Sequence, residues 1–547
     1  MYALRAPGKF PLDLRLLAVL AYVPIVLFAT QADLWAPDEP RYAEVAREAW
    51  SKGSFIVLHL NGEVYPDKPP LLYWLAGASG TLFGFSELAL RVPSLLATLA
   101  TAWIVSRLAR RWWGAREAEL APFFWFTLAM VTYIGGRLQI DPLMTFFCLA
   151  SIDLASSEPR PRMAAAGICA GLAAFCKGPV AWLHILFALL AWRLLPGAAR
   201  TPLRRSGRAW TAFAALALGP VLVWALAATA QEPSLGRQLF FGQHIGRALE
   251  GKAHQGPLWD YLLDMPAELM PWTLLFVAAF VRAFRAWRRE RAGDPDDAGL
   301  MRAASWFALV FVFFSILPTK RALYLLPIYP AAALLLAREA ASCERAGGLP
   351  RWVRSGTAAA LLLLGLFLCA SGWFPERLEA LVNVPESGDD AIQALYLLGG
   401  RLALVGAPLA LAGAIAFLPR LPARRWTATV GAGFAVAASI YALVLVPAIN
   451  PAKSAREVAA WVAARPEKPT SIACQGVRPE GYRFYAGVPA STEPLLPALE
   501  REGAQFLGLV DRKNWSKLSE EERSRFQVLR PWAPGGRNVI VLGAARR

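Results

Sequence analysis

The feature that most limits what this chain can become is the repetition of apolar runs of roughly 17 to 25 residues. As a helix, each is long enough to cross about 30 Å of hydrocarbon. Leu14 to Thr30, Trp210 to Ala230 and Thr427 to Ile449 are examples. Hydrocarbon offers the backbone no hydrogen-bond partner and a helix supplies its own, so repeated runs of this length predict a helical bundle in a bilayer. Composition agrees, with 56% hydrophobic and only 18% charged residues, outside the soluble norm.

The formal net charge of +17 would suit a nucleic-acid partner if it gathered on one face. Instead the arginines fall in alternate loops. One group is Arg107, Arg110, Arg111 and Arg116, another Arg200, Arg204, Arg205 and Arg208, a third Arg282, Arg285, Arg288 and Arg289. Arg338, Arg345, Arg351 and Arg354 form a later cluster, followed by Arg420, Arg424 and Arg425. Loops enriched in this way are cytoplasmic, so nucleic acid is excluded as a partner and membrane lipids take its place. Counting runs with this sidedness predicts about thirteen transmembrane helices, N-terminus inside and C-terminus outside. Six scattered cysteines without CxxC spacing indicate neither a zinc cluster nor a disulfide framework.

Residues 1–452 read as an all-α polytopic membrane domain with two long outer loops, 31–70 and 231–265. In the first, Arg41 to Trp50 places Tyr42, Val45, Ala46 and Ala49 on one stripe with Arg47 and Glu48 opposite, which predicts a short helix along the interface. Residues 453–547 are compositionally different. Strand-like runs Thr470 to Cys474, Gln505 to Val510 and Asn538 to Leu542 alternate with helical patterns at Ala455 to Ala464 and Leu495 to Arg501, predicting a small C-terminal α/β domain on the outer side.

Ionisable residues are nearly absent from the centres of the predicted spans and recur at their outer ends. They are Asp38, Glu39, Arg41 and Tyr42 in APDEPRYAE; Tyr65, Asp67 and Lys68 in YPDKPP; Arg137 and Asp141 in GRLQIDP. Lys177 in CKGP, His244 and Arg247 in QHIGR, and Lys320, Arg321 and Tyr324 in PTKRALY complete the set. Ion-coupled transporters keep charges at the midplane instead, which makes a lipid or sugar transporter the weaker reading. The prolines beside these residues stiffen their loops, and fixed geometry is what catalysis requires. Taken singly, Asp38 and Glu39 are also what a helix start attracts, and the lysines what snorkels from span ends.

WAPDEPRYAEVARE, FIVLHLNGEVYPDKPPLLYWL, LQIDP, CKGP, QHIGR, MPW and KRALYLLP follow one another in alternation with spans between about residues 10 and 345. In this order they resemble the integral membrane glycosyltransferases of the C-type superfamily, and within it the bacterial aminoarabinose transferases that modify lipid A. Protein O-mannosyltransferases are more distant relatives, which leaves protein O-glycosylation as the alternative activity. The resemblance implies a bacterial inner-membrane enzyme with a periplasmic active site. It would move a sugar from undecaprenyl phosphate, the polyprenyl-phosphate donor, to lipid A or another envelope glycolipid. It assigns catalysis to Asp38 with Glu39 beside it, and the carrier phosphate to Lys68, Arg247 and Tyr324, with Tyr65 near them. Arg41, Asp141 and Lys177 match further polar positions of the cavity, and Tyr42, Lys320 and Arg321 are expected there too; Asp141 is also a catalytic candidate. Asp67 and His244 match a pair that can bind a divalent metal, zinc, magnesium or manganese.

Overall fold

The computed structural model describes residues 14–157, 162–196, 206–237, 256–288, 295–371, 398–466, 469–534 and 538–545. Among the described residues, six helices are long and apolar enough to cross a membrane. A seventh crossing arises if Asp260–Glu268 and Thr273–Arg288, bent by 117° across the break at residues 269–272, count as one broken span. Five shorter apolar helices, among them Leu71–Phe83, Met163–Lys177 and Val180–Leu194, pack between the long ones. The protein is mainly helical and membrane-spanning.

One helix carries both ends of the sidedness argument. Glu87–Trp112 starts at Ser86, whose side chain accepts from the Ala89 amide, and an acidic residue in the first turn suits the positive helix N-terminus. Arg91 lies near this end and Arg107 near the other, about 24 Å apart at the rise of an α-helix. At the far end Arg107 and Arg111 pair with Asp153 at 2.5 and 3.1 Å. Glu117 there takes Arg338 at 2.8 Å and Arg345 at 3.0 Å. Several arginines read as cytoplasmic thus gather at one end, and Asp38 and its neighbours at the other.

Close helix approach in this bundle depends on small residues, as expected where lipid tails are as apolar as leucine. A Cβ on Gly365 would stand 2.3 Å from the Ala410 nitrogen, and one on Gly413 2.5 Å from the Leu362 nitrogen. Arg351–Ser371 and Arg401–Ala416 are therefore in backbone contact.

The expected short helix is present as Asp38–Lys52, and it is covered by protein on both of its sides. Its apolar stripe is buried, and so are Glu44 and Glu48 on the other side. The polar side faces protein: Glu480–Ala486, from the C-terminal region, packs on it. Beyond Ser454 a five-stranded sheet runs in the order Ala490–Thr492, Ile472–Gln475, Leu507–Asp511, Asn538–Ala544, Phe526–Pro534. The first three strands are parallel and the last two pair antiparallel. The two strands that the sequence pattern did not predict are both edges. Phe526–Pro534 contains Pro531 and has two register shifts, irregularities an edge tolerates and a central strand does not.

Candidate active site

Asp38 opens its helix as the first helical residue. Pro37 occupies the capping position without a side-chain bond, so the Asp38 carboxylate is not spent on the helix start. Instead Arg41, one turn on, donates from Nη2 to Asp38 Oδ1 at 2.7 Å. Arg321, from the turn before Ala322–Ile328, donates to Oδ2 at 3.4 Å. A carboxylate has about four lone-pair positions, and these two contacts leave others open. Arg41 also reaches Asp67 at 3.5 Å, which ties Asp38 to the Tyr65–Lys68 segment where Lys68 is half-buried.

Tyr42 and Tyr65 are buried and each meets Tyr73 edge to face at 5.7 Å. The Tyr73 hydroxyl lies 3.2 Å from that of Tyr65. Burial raises the Tyr42 phenol well above its ordinary value and pushes Tyr65 up to about 12. Both stay protonated at any physiological pH and can donate hydrogen bonds beside the guanidinium of Arg41, which sits 5.4 Å from the Tyr42 ring.

Asp141, in the first turn of Ile140–Ala155, pairs with Lys177 at the end of Met163–Lys177. The same ammonium lies 4.6 Å from the Tyr324 ring. Asp38, Arg41, Asp67 and Arg321 therefore form one contact network, and Asp141, Lys177 and Tyr324 a second. Tyr324 links the two by sequence, three residues after Arg321. Arg247 and His244 lie outside the described residues.

Two expected site residues have other work. Glu39 points away from Asp38 into the bundle, where it is 1% exposed. Its Oε1 accepts from Arg91 Nε and the Leu138 amide, both at 2.9 Å, and its Oε2 from Arg91 Nη2 at 3.0 Å and the Trp35 amide at 3.1 Å. Four donors occupy the carboxylate. Arg91, wholly buried, spends its remaining bonds on the carbonyls of Ala29, Ala32 and Asp33. This strut joins the loop before Asp38 to two spans, and the sequence reading missed Arg91; the signal was a lone arginine at the end of an apolar run.

Lys320, expected in the cavity, caps a helix. Its ammonium donates to the carbonyl oxygens of Ser315, at 2.6 Å, and Leu317, where a cation offsets the negative end of the helix dipole. Desolvation lowers its pKa from the ordinary lysine value. Lys320→Met is accordingly expected to leave transfer within about twofold of wild type and to cost about 1 kcal/mol of stability. Rate and thermal unfolding of the purified protein check this.

No group of three or more His, Cys, Asp or Glu residues able to hold a metal occurs among the described residues. Asp67 faces the positive charge of Arg41 there, so the described residues do not by themselves assemble a metal site.

Residues 67–224 match the family model described as dolichyl-phosphate-mannose-protein mannosyltransferase. The undecaprenyl phosphate-alpha-4-amino-4-deoxy-L-arabinose arabinosyl transferase of Serratia proteamaculans is 30% identical over 366 residues, covering 63% of this chain and 62% of that protein. Its namesake in Edwardsiella ictaluri is 32% identical over 318 residues, covering 56% of this chain and 55% of that protein. The chain thus spans less than two thirds of the length of these relatives. The crystal structure of ArnT from Cupriavidus metallidurans bound to undecaprenyl phosphate superposes with a TM-score of 0.75 at 19% identity, over 97% of this chain and 99% of that one. Its apo state gives 0.73, over 97% and 98%. In sequence this chain is similar to the undecaprenyl phosphate-aminoarabinose arabinosyl transferases over part of its length, and its fold is that of the ArnT crystal structures.

Proposed function

We propose that this protein is a polyprenyl-phosphate-dependent glycosyltransferase of the bacterial inner membrane. It moves 4-amino-4-deoxy-L-arabinose, or a related sugar, from undecaprenyl phosphate to lipid A or another envelope glycolipid on the periplasmic side. About thirteen crossings and a C-terminal α/β domain in the periplasm belong to the same proposal. The observation that carries it is the pair of arginines on Asp38: two separate elements deliver cations to one buried carboxylate at the end of the bundle opposite the paired arginines.

In the reaction the bond from the sugar's anomeric carbon to the carrier phosphate breaks and one to the acceptor oxygen forms. The phosphate departs with the bonding electron pair, and Lys68, Arg247 and Tyr324 are assigned to receive its charge; donors aimed at a developing charge lower the barrier most. If the acceptor is a hydroxyl, Asp38 takes its proton. If it is a phosphate there is no proton to take, and Asp38 orients the nucleophile and offsets positive charge on the sugar ring. Arg41 and Arg321 fix the carboxylate for either task. Asp67 with His244 is retained as a proposed metal pair, with no step passing through it.

The test is mass spectrometry of lipid A and envelope glycans from cells with and without the gene: the aminoarabinose-bearing species is expected only with it. A sugar found instead on envelope proteins would support the O-glycosylation reading, which the mannosyltransferase family match favours. Lys68→Ala is expected to raise the KM for the donor about tenfold, the loss of one charge-assisted contact. Steady-state kinetics with varied donor check it.

A further inference from the structure

The helix Asp38–Lys52 carries two carboxylates that the transfer chemistry does not use. Glu44 is fully buried and Glu48 is 3% exposed, and ionised groups so placed need a counter-charge. Glu44 has Arg47 from its own helix, at 2.8 Å. The cation shared by both comes from more than 430 positions away in the sequence: Arg483 Nε reaches Glu44 at 2.8 Å and its Nη2 reaches Glu48 at 2.6 Å. Lys52 lies 3.6 Å from Glu48.

Glu48 does more than pair. Its two oxygens accept from the Gly62 amide at 3.1 and 3.2 Å. Gly62 stands in the turn of the hairpin His59–Leu60 and Glu63–Val64, with φ of 87°. That hairpin leads directly into Tyr65, Asp67 and Lys68. One guanidinium in the C-terminal region is therefore connected, through one carboxylate each way, to both the helix that presents Asp38 and Arg41 and the loop that presents Lys68. A second contact supports the same docking: the Leu34 amide donates to the Tyr485 hydroxyl at 2.8 Å, four residues before Asp38.

We propose that Arg483 is a positioning residue for transfer, holding Asp38 and the donor loop in register through Glu44 and Glu48, so that the C-terminal region is a working part of the active site. The proposal rests on the functional reading above. A planar guanidinium can bridge two carboxylates where an ammonium acts as a point charge, so Arg483→Lys is expected to fall between Arg483→Met and wild type.

The test uses the full chain in detergent with undecaprenyl phosphate-aminoarabinose and lipid A. Arg483→Met is expected to lower kcat per folded molecule about 10- to 100-fold, the cost of roughly 1 Å of misplacement, and to raise the donor KM. Amide exchange within residues 38–52 and at Gly62 is expected to quicken about tenfold, as loss of an anchor loosens a local unit. A structural role alone would lower the unfolding temperature while leaving kcat and KM of the folded protein at wild-type values; that result, or unchanged exchange, overturns the proposal. Asp38→Asn is run in parallel. Full activity in that variant together with faster exchange in Arg483→Met would remove the functional reading and leave the mechanical link standing.

Discussion

Asp38→Asn is expected to abolish sugar transfer, with a fall of at least about a thousandfold in kcat, while the protein reaches the membrane in normal amount. The size of the effect follows from the two tasks placed on one group. Asn keeps the shape but loses the charge that faces Arg41 and Arg321, at 2.7 and 3.4 Å. It also replaces one carboxylate oxygen by an NH2 donor and loses the basicity that accepts a proton and the charge that aligns the acceptor, and general base catalysis together with alignment accounts for a factor of this order. The fold should survive, because Asp38 makes no capping bond to its helix. Arg41 and Arg321 are both partly exposed, so water can solvate the charge that the substitution leaves. Lipid A from cells carrying the variant, compared with wild type at matched protein level, gives the readout.

The second large effect is on stability. Arg91→Met is expected to destabilise the protein by about 3 to 5 kcal/mol, because removing one partner of a buried ion pair leaves the other uncompensated. Glu39 would be the abandoned charge, at 1% exposure, with only the amides of Trp35 and Leu138 remaining. The carbonyls of Ala29, Ala32 and Asp33 would lose their donor in the same step. Glu39→Gln removes the charge but keeps an acceptor, and should cost less than Arg91→Met. Thermal unfolding of the purified variants ranks them. Were Glu39→Gln to reach wild-type stability yet lose all transfer, Glu39 would return to the catalytic set.

The membrane character, and the gathering of the loop arginines at the end of the bundle away from Asp38, were legible because both rest on patterns local in sequence: run length and the placement of arginine. The meeting of Asp38, Arg41 and Arg321, and of Asp141, Lys177 and Tyr324, was legible for a related reason. Each sits at a span end on one predicted side, and the bundle can only bring such ends together. What stayed hidden depends on long-range partners. Glu39 beside Asp38 looked like half of an acidic pair, and only the arrival of Arg91, 52 positions away, turns it inward. Glu48 read as the exposed side of an amphipathic helix because nothing near it announces Arg483. Lys320 and Arg321 are adjacent and look alike, yet one caps a helix end and the other reaches Asp38; the backbone at that turn separates them. Of the edge strands, Phe526–Pro534 escaped because proline and irregular register erase the alternation by which strands are found, and Ala490–Thr492 because its three residues are too few to show one.

The most direct test is transfer by the purified full chain in detergent, supplied with undecaprenyl phosphate-aminoarabinose and lipid A and followed by mass spectrometry. Wild type is expected to yield lipid A carrying the sugar together with released undecaprenyl phosphate in equal amount. Consumption of neither substrate by a folded wild-type preparation, or equal product from the Asp38→Asn variant, would contradict it.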